Sequence, residues 1–569
     1  MSKDWIKGID YPDWAGEDYI TTLKGGYLQE DETPKQAYIR LAETAYKHLK
    51  NLPILNIREK IFEIMWKGWL IPSTPVMSNM GTNKGSVISC FGSDIEDSIS
   101  SIWEKAAEVA MMSKIGGGTS INVSNIRAIG SEIRGGKGGV SSGVLPFLKV
   151  FDATVNAAKQ SNLRRGACAA YMDINHKEAR GFMNINKATS GENHCNHLFT
   201  GFNITDFFMK SLEKNPENKS LFKDTIKTRI ERGYPYYFFI DTANKKRGKH
   251  WNTELSIKNS NLCTEICEPS DFEHSFVCCL SSTNIFKYDE WKDTDMIFIA
   301  TLFLDAVMSE FIIFSENILE LRTAKNFAVK ARALGLGSLG LASYLQTKMI
   351  AYDELTAQLT CRKIYSQIRD QSELASNYMG QYLGVPEWCK GSSRRNLTTT
   401  AIAPNRTSTD MANVFSQSTY PVIGNYYADQ TAKGTYYKKN PVLLDYLEEI
   451  GYNHEEIWES IFEHKGSVQH FDFLSTEVKK VFKTAFEINQ MGLVRLIGVI
   501  QEYIEQGISC NLYFDTDAPP KYIYETHVLA WEVGLKSLYY LKSESAISVD
   551  AINKGAINDL YDGCVSCEG

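Results

Sequence analysis

NLCTEICEPSDFEHSFVCCLSSTN, residues 261 to 284, is the stretch around which the rest of this sequence is organised. Asn261, Cys263 and Glu265 stand at alternate positions, and alternate side chains of an extended or tightly turned backbone point the same way. An amide, a thiol and a carboxylate could then face one small volume, where they can hydrogen-bond, carry redox or radical chemistry and take up a proton. A free cysteine is often no more than a buried apolar residue, so this run by itself leaves both interpretations open.

The composition is that of a large globular protein. The chain has 569 residues, a formal net charge of −7, 43% hydrophobic residues and 23% charged residues. A weakly acidic chain is not expected to bind nucleic acid as its main activity. No secretory signal is visible, so we expect a cytoplasmic protein whose twelve cysteines do not form a disulfide framework. The most apolar window, 296–314, contains Asp305 and Glu310, which predicts a buried core helix and no membrane span.

Apolar periodicity divides the chain into alternating helices and strands. Helices are predicted at 34–46, 57–68, 146–160, 296–314 and over much of 440–507. The run at 71–81, rich in Pro, Ser and Gly, predicts a loop, Ser89 and Cys90 are placed at a strand end, and 534–543 is predicted to be extended. Mixed helices and strands over this length predict one large α/β domain.

Two segments have the composition of an anion site. The glycine-rich run 115–143 contains neither G-x-x-x-x-G-K-[ST] nor a G-x-G-x-x-G between a strand and a helix, which argues against a P-loop or a dinucleotide fold. In the run 398–418, a strand, a hydroxyl-rich turn and a helix start are predicted. Thr407 and Ser408 could hold a phosphate at this turn, or simply cap an ordinary helix.

A C-x-x-C motif, Cys564 and Cys567, stands almost at the end of the chain. A zinc ribbon needs a second pair nearby, and a thioredoxin-like site needs a following helix for which the tail has no room. A mobile dithiol that exchanges with another disulfide remains. Cys90 with Cys278 or Cys279 would provide that disulfide.

Taken together, the motifs resemble those of the large, catalytic subunit of class I ribonucleotide reductases, over about residues 30–569. They are TPVMSNMG, SCFGSDIEDSI, INVSNIRAIGSEIRGG, SNLRRGACAA, NLCTE, CCLSSTN, LGLGSLGLASYL, GLKSLYY and the terminal cysteine pair. The resemblance implies a ten-stranded α/β barrel with a central finger loop, Cys263 at its tip. It implies an N-terminal arm and helical region at 1–70 without an ATP-cone, a barrel at 71–545 and a flexible tail at 546–569.

This resemblance implies that the protein reduces ribonucleoside diphosphates to 2′-deoxyribonucleotides, with the reaction taking place at the finger loop. Cys263 becomes a thiyl radical and abstracts the 3′ hydrogen, Glu265 deprotonates the 3′ hydroxyl, and Asn261 orients both substrate and Glu265. Cys90 and Cys278 supply two electrons and a proton for the loss of the 2′ hydroxyl as water, and they end as a disulfide. The family pattern C-x-L-[SA]-S begins at Cys278. Breaking an unactivated C–H bond is radical chemistry that side chains cannot start unaided.

The resemblance also implies partners. Cys564 and Cys567 reduce the disulfide and are themselves reduced by thioredoxin or glutaredoxin. Tyr539 and Tyr540, which alone would be core aromatics on a strand, match a stacked pair that relays the radical from a small, metal-containing, radical-generating subunit. No metal is expected on this chain.

Nucleotide sites follow by the same resemblance. Substrate-binding residues are Thr74, Ser89, Asn261, Thr407 and Ser408. Arg406 stands where the family more often has an acidic or small residue, and its role stays open. The effectors ATP, dATP, dTTP and dGTP are expected at Asp94, Arg127, Arg134 and Arg164, beside loops 134–143 and 161–168. The helices that start at Ser98 and Pro146 are expected to form a homodimer contact.

Two alternatives stay open on the sequence. One is an adenosylcobalamin-dependent reductase that works as a single chain, in which the Tyr539–Tyr540 pair is not expected. The other is a non-catalytic, nucleotide-binding regulator of the same fold, which the intact set of cysteines disfavours.

Overall fold

Of the three N-terminal helices, the second and third begin where the sequence predicts them, and the first lies in the stretch that was predicted to be an arm. This computed structural model describes residues 10–158, 166–187, 191, 194–431 and 434–543. Helix α1 spans Glu17–Lys24, α2 Pro34–Leu49 and α3 Ile57–Trp66. At the start of α2, the Gln36 backbone N–H donates to the Thr33 hydroxyl and the Thr33 N–H donates to the Gln36 side chain, a reciprocal capping box.

The other elements alternate along the chain as the periodicity predicts. The remaining helices are α4 Thr74–Asn79, α5 Ile99–Lys114, α6 Leu145–Ala157, α7 Ala179–Phe182, α8 Asp206–Ser211, α9 Pro216–Arg232, α10 Ile240–Lys245, α11 Tyr288–Trp291, α12 Met296–Phe314, α13 Arg322–Ala331, α14 Leu341–Thr347, α15 Leu355–Leu383, α16 Arg406–Met411, α17 Pro441–Glu449, α18 Glu455–Glu463, α19 Thr476–Val481, α20 Gln490–Gln501 and α21 Pro520–Glu532. The strands are β1 Leu70–Pro72, β2 Cys90–Asp94, β3 Gly118–Asn122, β4 Ala167–Asp173, β5 Leu198–Ile204, β6 Tyr236–Phe239, β7 Phe276–Asn284, β8 Leu334–Leu339, β9 Tyr426–Thr431, β10 Gly434–Lys439, β11 Leu512–Phe514, β12 Ser537–Leu538 and β13 Leu541–Ser543.

Strand segments of the described chain close into a ring. Strands β2 to β6 are parallel neighbours in chain order, β6 pairs with β12, and β7 pairs with both β2 and β8. Single bridges from Leu336 to Thr400 and from Ile402 to Ile508, together with the β11–β13 pairing, complete the circle. In order around it, the ten segments are β7, β2, β3, β4, β5, β6, 537–543, 508–514, 398–402 and β8. The expected ten-stranded barrel is therefore confirmed.

The segment between α10 and β7 runs through the middle of this ring as a finger loop. One side chain and three backbone carbonyls of the loop are hydrogen-bonded to segments on different sides of the barrel. These bonds are Asn259 Nδ2 to Ser120 Oγ (3.1 Å), Tyr171 Oη to Asn261 O (2.7 Å), Gly507 N to Glu265 O (2.7 Å) and Ser537 Oγ to Thr264 O (2.7 Å). Because buried backbone groups need such partners, the barrel interior holds the loop in one conformation.

The apolar helix α12 belongs to the core. Among the described residues it is the one helix whose length and composition would suit a membrane span, and 67% of it is buried within the protein. It packs against the helices α2, α3 and α15 and against the strands β7 and β8. The prediction of a buried core helix at 296–314 is confirmed.

A smaller apolar cluster lies apart from the barrel core. The hairpin of β9 and β10 and the helices α17 to α19 surround it, with Leu443, Leu447, Trp458, Val468 and Phe482 at its centre.

Two local predictions differ from the structure. The loop predicted at 71–81 contains α4, because Pro75 sits in the first helical turn, where its fixed φ and missing N–H are tolerated. Cys90 is the first residue of β2, so the strand follows this cysteine.

Candidate active site

The tip of the finger loop is a tight turn inside the barrel. Thr264 adopts a left-handed backbone conformation with φ 68°, and its N–H donates to the Asn261 carbonyl at 3.3 Å. The Ser509 hydroxyl lies 2.5 Å from the Cys263 carbonyl oxygen. Cys263 and Glu265 flank this turn, and both side chains are buried. The sequence allowed an extended or a tightly turned backbone, and the turned one is found.

Asn261 and Glu265 form a hydrogen-bonded pair. The Ile266 N–H donates to Asn261 Oδ1 at 3.0 Å, which directs the amide nitrogen Nδ2 toward Glu265 Oε1 at 2.9 Å. Burial raises the pKa of Glu265 to about 7, and the hydrogen bond from Asn261 is among the groups that oppose this rise. A carboxyl group with a pKa near neutrality is suited to accept a proton from a substrate hydroxyl.

Cys90 and Cys278 face each other across two antiparallel strands. They are register partners in the β2–β7 pair, and directly opposed residues of such a pair have Cα atoms about 4.5–5.5 Å apart, within the range of a disulfide. Cys90 Sγ lies 3.9 Å from Glu265 Oε1, so the cysteine pair adjoins the finger loop. A Cβ on Gly335 would lie 2.9 Å from Cys278 Sγ, so the glycine leaves room for the sulfur.

Cys279 lies on the other side of β7. Its thiol donates to the Leu304 carbonyl of α12 at 3.4 Å, outside the barrel interior. Because neighbouring residues of a strand point to opposite faces, only one member of the Cys278–Cys279 pair can face Cys90. Of the two cysteines that the residue pattern left open, Cys278 faces the site.

Three tyrosines, two buried and one partly buried, are packed together near the C-terminal end of the described chain. The rings of Tyr539 and Tyr540 have centroids 4.3 Å apart, and Tyr236 lies 4.9 Å and 5.2 Å from them. The pKa of Tyr539 is well above its usual value, because of burial first and then the nearby Tyr540 and Cys263. These tyrosines therefore stay protonated at neutral pH.

Asn261 lies in the finger loop, and the other four expected substrate-binding residues lie beside the ends of strands or barrel segments. Thr74 begins α4 directly after β1, Ser89 directly precedes β2, and its hydroxyl lies 3.9 Å from Cys90 Sγ. Thr407 and Ser408 lie in the first turn of α16, after the barrel segment 398–402. All four side chains are buried.

Arg406 opens α16 near Lys542, whose side chain is partly buried. Burial and the positive charge of Arg406 together lower the pKa of Lys542 to about 8. Two cations that repel each other are stabilised by an anion between or beside them.

The structure separates the expected effector residues. Asp94 is buried, and its carboxylate accepts hydrogen bonds from Asn122 (2.8 Å) and Asn125 (3.3 Å). Burial raises the pKa of Asp94. Arg127 pairs instead with Asp97, with Nε 2.6 Å from Oδ2, at the partly exposed start of α5. Arg134 lies in the exposed loop that follows.

Several expected residues are outside the described part of the chain. They are Arg164, most of the loop 161–168, and the tail cysteines Cys564 and Cys567. All ten cysteines that the structure does describe are buried, and no disulfide joins any two of them. Within the described ranges, no three or more His, Cys, Asp or Glu side chains are grouped so that they could hold a metal ion.

Some residues of the site were missed by sequence reasoning. They are Tyr171, Tyr236, Gln506, Ser509 and Asp97. Gln506 and Ser509 stand more than 200 residues from the cysteines they contact, and no spacing rule links such positions. A signal existed for Asp97, because the run SDIED offers two aspartates and the second directly precedes the helix cap Ser98.

Comparison with known proteins finds similarity over most of the chain. The family model described as "Ribonucleotide reductase, barrel domain" matches residues 88–219, 213–394 and 389–541, and "Ribonucleotide reductase, all-alpha domain" matches residues 16–85. The chain is 32% identical to the ribonucleoside-diphosphate reductase large subunit of Invertebrate iridescent virus 3, over 97% of this chain and 98% of that protein. It is 34% identical to the putative large subunit of Frog virus 3 (isolate Goorha), over 90% and 93%. The solved structure of the Actinobacillus ureae class Id ribonucleotide reductase alpha subunit has a TM-score of 0.87, 38% identity, and coverage of 95% of this chain and 99% of that one.

Proposed function

This chain belongs to the ribonucleotide reductase family, as the large subunit of a class I ribonucleoside-diphosphate reductase, and we propose that Cys263, Glu265 and the pair Cys90–Cys278 carry out its chemistry. One observation carries the proposal. The thiol-bearing finger loop, a carboxyl with a pKa near 7 and two facing cysteines share one buried volume inside the barrel.

The residues then have distinct tasks. Glu265 accepts the proton of the 3′ hydroxyl, and a radical on Cys263 takes the 3′ hydrogen atom. The 2′ hydroxyl leaves as water, and Cys90 and Cys278 provide two protons and two electrons as they become a disulfide. Cys263 finally returns the hydrogen atom to the 3′ carbon, and Glu265 returns its proton to the 3′ oxygen. Asn261 supports this order because its amide donates to Glu265 and favours the ionised, proton-accepting form.

A large subunit of this family works with a small subunit. We propose that the small subunit is metal-containing and supplies the radical, and that Tyr540 and Tyr539 relay it to Cys263. The short ring separation supports transfer between the two tyrosines, and burial keeps their hydroxyl protons in place until an electron leaves.

The substrate phosphates are assigned to the hydroxyls of Thr407 and Ser408, with Thr74 and Ser89 toward the sugar. Arg406 and Lys542 support this assignment, since an anion beside them would offset their mutual repulsion. The tail cysteines Cys564 and Cys567 are assigned to reduction of the Cys90–Cys278 disulfide, with thioredoxin or glutaredoxin as their reductant in the cytoplasm.

Effector nucleotides such as ATP, dATP, dTTP and dGTP are proposed to bind beside the start of α5. Arg127 is held there by Asp97, with Arg134 in the neighbouring loop and Arg164 as a further candidate. Asp94 is the weaker candidate, because its oxygens already accept two amide hydrogen bonds. The homodimer is proposed to form through α5 and α6, since α5 exposes Ile99 (60%) and Trp103 (52%).

A matched pair of variants separates the two aspartates. Asp97→Asn is expected to weaken dATP and dTTP binding about tenfold and to remove effector control of substrate choice, because the substitution breaks the pair that holds Arg127. Asp94→Asn is expected to lower the melting temperature and leave effector binding nearly unchanged. Calorimetric titration of dATP and dTTP into each variant measures the affinities. Weaker nucleotide binding in Asp94→Asn, with nearly unchanged binding in Asp97→Asn, would instead assign the effector site to Asp94.

The direct test of the proposed function is a reductase assay on CDP and ADP. Turnover is expected with a class I small subunit and a dithiol, and it should not depend on adenosylcobalamin. Turnover of the chain alone with adenosylcobalamin would favour the single-chain alternative. Nucleotide binding without turnover under any of these conditions would favour the regulator.

A further inference from the structure

The two facing cysteines have unlike neighbours. The Gln506 side chain places Nε2 3.4 Å from Cys278 Sγ. Cys90 Sγ instead lies 3.9 Å from the Glu265 carboxyl. Cys278 is 1% exposed and Cys90 7%. One sulfur therefore faces a hydrogen-bond donor, and the other faces a group that can become negative.

The orientation of the Gln506 amide is fixed by its surroundings. Its Oε1 accepts from the Cys267 backbone N–H at 3.1 Å, and a backbone N–H can only donate. The nitrogen end must therefore be the end that faces Cys278. That nitrogen also lies 2.9 Å from the Leu334 carbonyl and 3.0 Å from the Thr398 hydroxyl.

Glu268 is hydrogen-bonded to Thr398, the residue that also contacts Gln506. The Thr398 hydroxyl donates to Glu268 Oε1, so its lone pairs are left to accept from Gln506. Glu268 is fully buried, and its Oε2 has no hydrogen-bond partner among the described residues. Burial raises the pKa of Glu268 to about 8, so the carboxyl is mostly neutral at neutral pH. It adds little negative charge beside Cys278.

Resting on the proposed Cys90–Cys278 dithiol, we propose that Gln506 stabilises the Cys278 thiolate and so makes Cys278 the leaving sulfur when a dithiol reduces the disulfide. The attacking thiolate bonds to Cys90 Sγ, the Cys90–Cys278 bond breaks, and its electron pair leaves on Cys278 Sγ. Cys278 takes up a proton, balancing the proton that the attacking thiol lost. The second thiol of the reductant then attacks the mixed disulfide, releases Cys90, and leaves the reductant as a disulfide.

Attack on Cys278 is disfavoured by charge and by the lower exposure of Cys278. Burial raises the pKa of the Cys278 thiol, and the Gln506 hydrogen bond is a group that opposes this rise. A thiolate that receives an N–H bond is the better leaving group. If Cys278 were attacked, the Cys90 thiolate would leave toward the Glu265 carboxyl, and two like charges so close repel.

The test is the position of a trapped adduct on the oxidised chain. The full chain with Cys564→Ser and Cys567→Ser is oxidised, treated briefly with 2-mercaptoethanol, quenched in acid and mapped by mass spectrometry. We expect the adduct on Cys90 to exceed that on Cys278 by about tenfold or more, as a hydrogen bond to a charged group would give. Gln506→Met should bring the two adducts toward equal amounts and slow the reaction.

Two controls accompany this measurement. Glu268→Gln should keep the wild-type ratio, because a neutral side chain of the same shape still accepts from Thr398. Gln346→Met removes a buried glutamine that is bonded to Asn440, away from the cysteines, and should also keep the ratio.

Each result decides the matter. An adduct mainly on Cys278, or a wild-type ratio in folded Gln506→Met, would overturn the inference. If Gln506→Met does not fold, the ratio of the Cys90 adduct to the Cys278 adduct is judged from the parent chain and from Thr398→Val instead. The absence of any Cys90–Cys278 disulfide after oxidation would instead overturn the proposed dithiol, and this inference with it.

Discussion

Cys263→Ser is expected to lower turnover by more than about a thousandfold while leaving substrate and effector binding nearly unchanged. A serine hydroxyl has almost the same size as the thiol, so the turn at Thr264 and the bond between Ser509 and the Cys263 carbonyl should persist. The O–H bond is too strong for the hydrogen-atom exchange that an S–H bond permits. Turnover is measured with the small subunit present, and binding by calorimetry.

Cys267→Ser is the matched control for this variant. Cys267 is a buried cysteine of the same loop, and the bond it gives to Gln506 comes from its backbone, which the substitution keeps. This control should retain most of the wild-type turnover. Appreciable activity in Cys263→Ser, or equal losses in both variants, would contradict the assignment of the radical to Cys263.

Tyr539→Phe and Tyr540→Phe are each expected to abolish turnover with less than about 1.5 kcal/mol lost in the free energy of unfolding. Phenylalanine keeps the ring volume, so the packing of Tyr539, Tyr540 and Tyr236 should survive. What is lost is the hydroxyl hydrogen that a tyrosyl radical needs. Activity and chemical denaturation are measured on the same preparations.

Tyr365→Phe tests whether any buried tyrosine hydroxyl gives this result. Tyr365 is fully buried in α15, and its hydroxyl is bonded to the Ser338 hydroxyl at 2.7 Å, away from the tyrosine group. This variant should lose some stability and keep its turnover. Full activity in both Tyr539→Phe and Tyr540→Phe would contradict the proposed radical relay through these two tyrosines.

Local patterns in the sequence predicted much of the fold and of the site. The helix start after Thr33 and Pro34 and the buried helix at 296–314 depend on neighbouring residues, and both are found. The residue pattern left Cys278 and Cys279 open, and the family resemblance selected Cys278. The ten-stranded barrel followed from the resemblance of ordered motifs, since its closing bridges, such as Leu336 to Thr400, leave little periodicity to detect.

The rest depends on contacts between distant parts of the chain. Gln506 meets Cys278 across 228 positions and Ser509 meets Glu265 across 244, so neither contact leaves a spacing signal. The choice between Asp94 and Asp97 depends on burial and on which one pairs with Arg127. A pKa near 7 for Glu265 likewise follows from burial by the assembled barrel.

A single-turnover experiment shows which cysteines supply the electrons of the reaction. The chain with Cys564→Ser and Cys567→Ser is prereduced, freed of reductant and mixed with the small subunit, a ribonucleoside diphosphate and an effector. We expect about one deoxyribonucleotide per active site, together with one new disulfide that peptide mapping assigns to Cys90 and Cys278. Product formed without that disulfide, or with a disulfide between other cysteines, would rule out Cys90 and Cys278 as the electron donors.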